Sequence, residues 1–122
     1  MRFATLLLLL SATLAAATFG TSVPVFGGPV DLVLDEPRNQ LYLVDFNNNA
    51  VRIYSIPGRR FLPAIPVGLQ PVGAALSPDG GFLYVTNFGS SSLSLVDLNQ
   101  NAVVRNVSLP AQPEGVAVGA DG

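Results

Sequence analysis

At 122 residues the chain has room for one domain of ordinary size at most. It carries 11% charged residues and a net charge of -2, with no Lys and six scattered Arg, so no basic patch is available to hold nucleic acid or anionic lipid. The lack of Cys and His excludes a disulfide framework, thiolate chemistry, an imidazole base and Cys- or His-held metal.

The first element is a targeting segment. Arg2 supplies a positive charge, Leu6 to Leu10 begin an apolar stretch, and Ala15-Ala16-Ala17 present small residues in A-x-A spacing. That order is the pattern of a secretory signal peptide over residues 1–17, cleaved after Ala17. The apolar run is shorter than the roughly 20 residues that span a bilayer, so no membrane span is expected after cleavage. An extracytoplasmic location follows: periplasmic, cell-surface or secreted.

Beyond it the chain repeats. Pro29-Val30, Pro71-Val72 and Pro113-Glu114 stand 42 residues apart. Laid over each other without a gap, 29–70 and 71–112 place Leu34 on Leu76, Leu41-Tyr42 on Leu83-Tyr84, Phe46 on Phe88 and Gln70 on Gln112. The register extends upstream, where Val23-Pro24-Val25 overlies Ile65-Pro66-Val67.

Each unit reads as four short strands. In the second unit they are Val72–Leu76, Phe82–Thr86, Leu93–Asp97 and Val103–Leu109. Ser77-Pro78-Asp79-Gly80 makes the first turn, Pro presetting φ and Gly accepting a positive one. Phe82–Thr86 is nearly all apolar, which suits a strand covered on both faces. In the last strand Val103, Arg105, Val107 and Leu109 are expected on one face, and Asn106 and Ser108 on the other, as in an exposed outer strand. No window beyond the signal segment has helical periodicity. The fold class is all-β.

Four strands in about 40 residues, repeated, is the pattern of a β-propeller blade. A blade cannot bury both faces of its own sheet, and its neighbours in the ring do so for it. The expected division is an outer strand of a preceding blade at 18–28, blades at 29–70 and 71–112, and the start of a third, truncated blade at 113–122. A ring of four to eight blades needs on the order of 170–340 residues, so a fragment of a longer protein is expected, with further blades needed to close it.

Ser77-Pro78-Asp79-Gly80, Tyr84-Val85-Thr86-Asn87, Leu93-Ser94-Leu95-Val96-Asp97 and the unit-opening Pro residues resemble the YVTN-repeat β-propeller proteins. The first unit departs from that pattern, with Asp35-Glu36-Pro37-Arg38 and Tyr42-Leu43-Val44-Asp45 at the corresponding places. The resemblance implies seven-bladed or similar rings on exported or surface proteins. The related NHL, strictosidine-synthase-like and lactonase-type propellers carry varied chemistry.

No catalytic, cofactor-binding or metal-ligating residue is assigned, and no cofactor is expected. Asp79 and Asp121 sit in repeated turns, where Asp bonds its own backbone; Asp97 ends a strand beside a turn. Asp45-Phe46-Asn47-Asn48-Asn49 is the richest oxygen cluster and a conceivable contributor to a Ca²⁺ site. It overlies the ordinary loop Asn87-Phe88-Gly89-Ser90-Ser91, and is read as a loop. Asn106-Val107-Ser108 fits a glycosylation sequon but falls in an expected strand. Candidate ligand-face positions are Asp45, Asn47, Asn48, Asn87, Phe88 and Ser90, on the loops between second and third strands, expected at the same end as the Gln70-Pro71 linker. Two functions remain: a non-catalytic binding or scaffold module for an unknown ligand or protein, or the N-terminal part of a propeller enzyme. The enzyme would be a lactonase-like hydrolase or a quinone- or haem-dependent dehydrogenase subunit. It would need acid, His or metal ligands converging on the channel, where these blades offer Asp31 against Gly73 of the next unit.

Overall fold

A computed structural model describes residues 28–118. The expected signal peptide, the Val23–Val25 strand and Asp121 lie outside the described residues. Eight strands follow one another: β1 (Pro29–Asp35), β2 (Gln40–Asp45), β3 (Ala50–Ser55), β4 (Arg60–Pro66), β5 (Pro71–Leu76), β6 (Phe82–Asn87), β7 (Ser92–Asp97) and β8 (Ala102–Ser108). They form two four-stranded antiparallel sheets, β1-β2-β3-β4 and β5-β6-β7-β8, each strand paired with its neighbour in sequence. The fold is all-β, two blades of a propeller.

The repeat sets the strand ends. Pro29 and Pro71 open β1 and β5, a first-strand position where a missing N–H is tolerated. Each of the two strands slips register by one residue at the same place, between Pro29 and Asp31 and between Pro71 and Gly73. Tight turns close on residues with positive φ: Asn39 (53°), Asn49 (55°), Arg59 (54°), Ser91 (47°) and Asn101 (53°). Asn accepts the left-handed region more readily than other side chains, and three of the five are Asn. Gly80, at φ 74°, does the same for the Ser77–Gly80 turn.

The core lies between the blades. Tyr42, Val44, Val51, Ile53 and Ile65 of the first blade meet Ala74, Leu83, Val85, Val96 and the turn residue Leu98 of the second, all buried. Pairing explains which side chains go there. Tyr42 opposes Ile53 and Val44 opposes Val51, on one face of the first blade. Leu83 opposes Val96 and Val85 opposes Ser94, on the facing side of the second. Each large apolar side chain withdrawn from water contributes about 1.5–3 kcal/mol, so this face-to-face contact is the main cohesion of the pair. Inner strands run side by side: Asp31 Oδ2 accepts from the Ala74 amide at 3.1 Å, next to Gly73, which stands at the repeat-equivalent place.

The alternation expected in the last strand is corrected. Leu95 pairs with Arg105 but Val96 pairs with Val103, so Val104 is an extra, bulged residue. A one-residue slip exchanges the faces beyond it. Val103 therefore shares a face with Asn106, opposite Ser94, and with Ser108, opposite Ser92, rather than with Arg105 and Val107. Residues 112–118 form no strand. They run beside β5, close enough that a Cβ on Gly73 would stand 3.1 Å from the Gly115 Cα. Among the described residues they lack the antiparallel partner that β2 gives β1.

Candidate functional site

One end of the blade pair gathers the β2–β3 loop (46–49), the β6–β7 loop (88–91) and the linker between blades (67–70). The linker is stitched to both loops. Val67 donates to the Asn49 carbonyl (3.0 Å), the Gln70 amide to Asn49 Oδ1 (2.9 Å), and Phe88 and Gly89 to the carbonyls of Gln70 (2.8 Å) and Leu69 (3.0 Å). Gln70 holds a φ of 52° at this crossing, which turns its carbonyl toward Phe88. The repeat reproduces two of these bonds, Phe46 to the Gly28 carbonyl (2.9 Å) and Leu109 to the Ser91 carbonyl (2.8 Å).

The linker separates two hollows. One, of about 440 Å³, lies between the blades and is lined by Phe46, Asn47, Asn49, Leu69, Gln70 and Gly89. The other, of about 310 Å³, lies on the side of the outer strands against Pro66, Val67, Gly68, Ser90, Ser92, Val103 and Asn106. Both linings are free of Asp, Glu and Arg, so the larger offers amides and apolar surface, the smaller hydroxyls, an amide and apolar surface, and neither a formal charge.

The six candidate positions divide. Asn47 lines the larger hollow and Ser90 the smaller. Asn48 is exposed, and Phe88 is half-buried. Asp45 is 1% exposed and occupied: it accepts from the Gly28 amide (3.1 Å), the Asn48 amide (3.3 Å) and Asn48 Nδ2 (2.8 Å), with Arg52 Nη1 at 3.8 Å. Burial pushes its carboxyl up, but these donors and the Arg52 charge outweigh that and hold it below the usual carboxylate range. Its oxygens fasten the 46–49 loop. Among the described residues no group of three or more His, Cys, Asp or Glu is placed to hold a metal ion.

Asn87, the repeat counterpart of Asp45, is wholly buried. Its Nδ2 donates to Ser92 Oγ (3.1 Å) and Ser94 Oγ (2.9 Å), Ser94 donates to Asn106 Oδ1 (2.8 Å), and Ser90 and Ser92 share a hydrogen bond at 2.9 Å. Asn49, Gln70, Ser92 and Asn106 are not among the six candidate positions. For Asn49 and Gln70 the signal was available, since an Asn closing a tight turn and the last residue before a unit-opening Pro both sit where loops cross. For Asn106 it was hidden by the bulge at Val104.

The other end of the pair holds a buried polar cluster. Asp35, 1% exposed, accepts from the Tyr42 hydroxyl (2.6 Å), from Arg38 Nη1 (3.0 Å) and from the Arg38 amide (3.3 Å). Burial and then the bond to Asp35 push the Tyr42 phenol well above its usual range. In the second blade Ser77 takes the place of Asp35, and its hydroxyl donates to Asp79 Oδ1 (2.7 Å) while accepting from the Phe82 amide (3.0 Å).

Two antiparallel blades stacked through their faces, inner strand to inner strand, define a repeat protein of the β-propeller class. The family model of the NHL repeat matches residues 26–54. Among solved structures the chain is similar to hydrazine synthase of Kuenenia stuttgartiensis, at 27% identity and a TM-score of 0.74, over 84% of this chain and 30% of that one. It is also similar to the β-propeller domain of Cps50 (Swd1) from Myceliophteria thermophila, at 15% identity and a TM-score of 0.66, over 75% of this chain and 29% of that one. AztD of Citrobacter koseri matches at 14% identity and a TM-score of 0.60, over 73% and 26%. The chain thus spans less than a third of each of these structures. The last two likenesses concern the fold alone. No curated protein sequence matches.

Proposed function

We propose that these blades belong to an exported propeller repeat protein that acts as a binding or scaffold module, with its ligand face at the end where the two loops and the linker meet. The observation that carries this reading is the uncharged hollow of about 440 Å³ between the blades, where Phe46 and Leu69 supply apolar surface and Asn47, Asn49 and Gln70 supply amides. Small-molecule sites of about 300–1,000 Å³ combine those ingredients, and loops on a rigid scaffold are where binding residues collect. The segment Tyr84-Val85-Thr86-Asn87 supports a YVTN-type repeat within the class. Met1 to Ala17 supports export.

A second reading makes the blades the N-terminal part of a propeller enzyme. The 27% identity with hydrazine synthase favours it, over less than a third of that chain. The test is native mass spectrometry of the full-length protein, secreted from its own N-terminal segment, followed by identification of any retained small molecule. A retained compound that is lost in Gln70→Ala and returned unaltered after incubation supports the binding module. Conversion of that compound supports the enzyme, and an uncleaved product retained in the cytoplasm overturns export.

A further inference from the structure

A hydrogen-bonded ladder runs from buried Asn87 and Ser94 out to Ser90, Ser92 and Asn106 in the lining of the smaller hollow. Asn87 spends both of its Nδ2 protons inward, on Ser92 Oγ and Ser94 Oγ. Ser94 in turn donates to Asn106 Oδ1. The Asn106 carboxamide is thereby fixed with its oxygen inward and its two N–H donors outward. The Ser90–Ser92 pair leads to the same result. Ser90 already accepts from the Leu69 amide (3.1 Å) and Ser92 from Asn87, so whichever donates to the other, one hydroxyl proton of the pair remains for the hollow. Wholly buried Asn87 and Ser94 are polar residues in a blade face that also buries Leu83, Val85 and Val96. Asn87 Oδ1 has no hydrogen-bond partner among the described residues. Burying such groups is unfavourable unless their bonds are made, so an apolar face would be the more stable choice. The opposite wall is apolar, made by Pro66 and Val67, with Val103 beside Asn106.

We propose that this hollow, between the end of β4 and the face of β7 and β8, binds one neutral saccharide ring. Oriented amide and hydroxyl donors suit the oxygen acceptors of a sugar, the lining offers no formal counter-charge to an anion, and the apolar wall takes the C–H face of a ring. A volume of about 310 Å³ suits a single ring rather than an extended ligand. The proposal rests on the binding-module reading but uses a different hollow, so the two fail separately.

The experiment is saturation-transfer difference NMR of the full chain with methyl glucoside, methyl galactoside and N-acetylglucosamine, with inorganic sulfate as the anionic arm. At least one sugar should give transfer at millimolar concentration and sulfate should not displace it. Asn106→Ala should weaken that sugar at least about tenfold, since it removes the outward donors. Ser92→Ala, which leaves the Ser94–Asn106 bond in place, should weaken it less, and serves if Asn106→Ala fails to fold. Glu36→Gln, exposed in the turn at the opposite end of the blade pair, should leave sugar transfer unchanged. Absence of transfer from all three sugars, equal affinity in both ladder variants, or displacement by sulfate would overturn the assignment.

Discussion

The guanidinium of Arg38 donates to the carbonyl oxygen of Gly80 at 2.6 Å, and the two residues are 42 positions apart, one full repeat. The first-strand turn of one blade therefore grips the equivalent turn of the next. The same Arg38 Nη1 lies 3.0 Å from Asp35 Oδ2, which also accepts from Tyr42, so the clasp is anchored to a buried carboxylate and a core phenol. It closes the blade interface at the end opposite the 67–70 linker.

Removing the clasp should loosen the interface. Arg38→Ala leaves Asp35 buried with its charge partner gone, and should lower unfolding free energy by about 2 kcal/mol, below the range for fully buried pairs because Arg38 is 28% exposed. Arg38→Lys keeps the charge but not the fork, and should fall between the two. Urea midpoints at constant m-value measure both.

Tyr42 gives an alkaline prediction. Its folded-state pKa is raised, so its contribution is fully present below the unfolded value of about 10 and is lost as pH climbs from there toward the raised folded value. Tyr42→Phe should be less stable at neutral pH by about 1 kcal/mol. Its difference from the parent should shrink above pH about 10, read from unfolding curves taken at matched pH.

Asp45 titrates the other way. Its folded-state pKa is lowered, so its contribution is complete above the ordinary carboxylate value near 4 and is lost as pH falls below it. Asp45→Asn should lower stability by about 1–2 kcal/mol at neutral pH, because an amide nitrogen in place of Oδ2 cannot accept from Asn48 Nδ2 and carries no charge toward Arg52. Chemical denaturation between pH about 6 and 2 should show the two proteins converging toward the acid end.

Much of the architecture was legible in the sequence because β pairing depends on patterns that survive as spacing. Leu41-Tyr42 over Leu83-Tyr84 and the recurring Pro gave the unit, and the strands appear where those marks put them. What failed to show were features that depend on a single residue's geometry. The extra residue Val104 leaves composition unchanged yet moves Asn106 to the face of Ser94. The Arg38–Gly80 bond joins equivalent turns of two blades, and nothing local marks Arg38 as different from any solvated Arg. The oxygen-rich run 45–49 looked open to ligand, but Asp45 is turned in to fasten its own loop while Asn47 faces the hollow.

Two glycines separate close approach from backbone strain. A Cβ on Gly68 would stand 2.7 Å from Asn87 Cγ and from Ser90 Oγ, and Asn87 is held by its serine ladder, so Gly68→Ala should lower stability by about 1–3 kcal/mol. Gly80→Ala meets nothing within 4 Å but sits at φ 74°, and should lose about 1 kcal/mol. Gly80→Asn should recover part of that loss, whereas Gly68→Asn should be worse than Gly68→Ala. Thermal midpoints of the four variants discriminate the two causes.

The claim beneath all of this is that one face of the first unit lies on the opposite face of the second. Methyl-resolved NOE spectroscopy reads that contact directly. Val44, Val51 and Ile53 should show cross-peaks to Leu83, Val85 and Val96, while Leu41 and Leu43, on the other face of the same strand, show none to those three. Cross-peaks from Leu41 and Leu43 in place of Val44 and Ile53, or no contact between the two units at all, would contradict it.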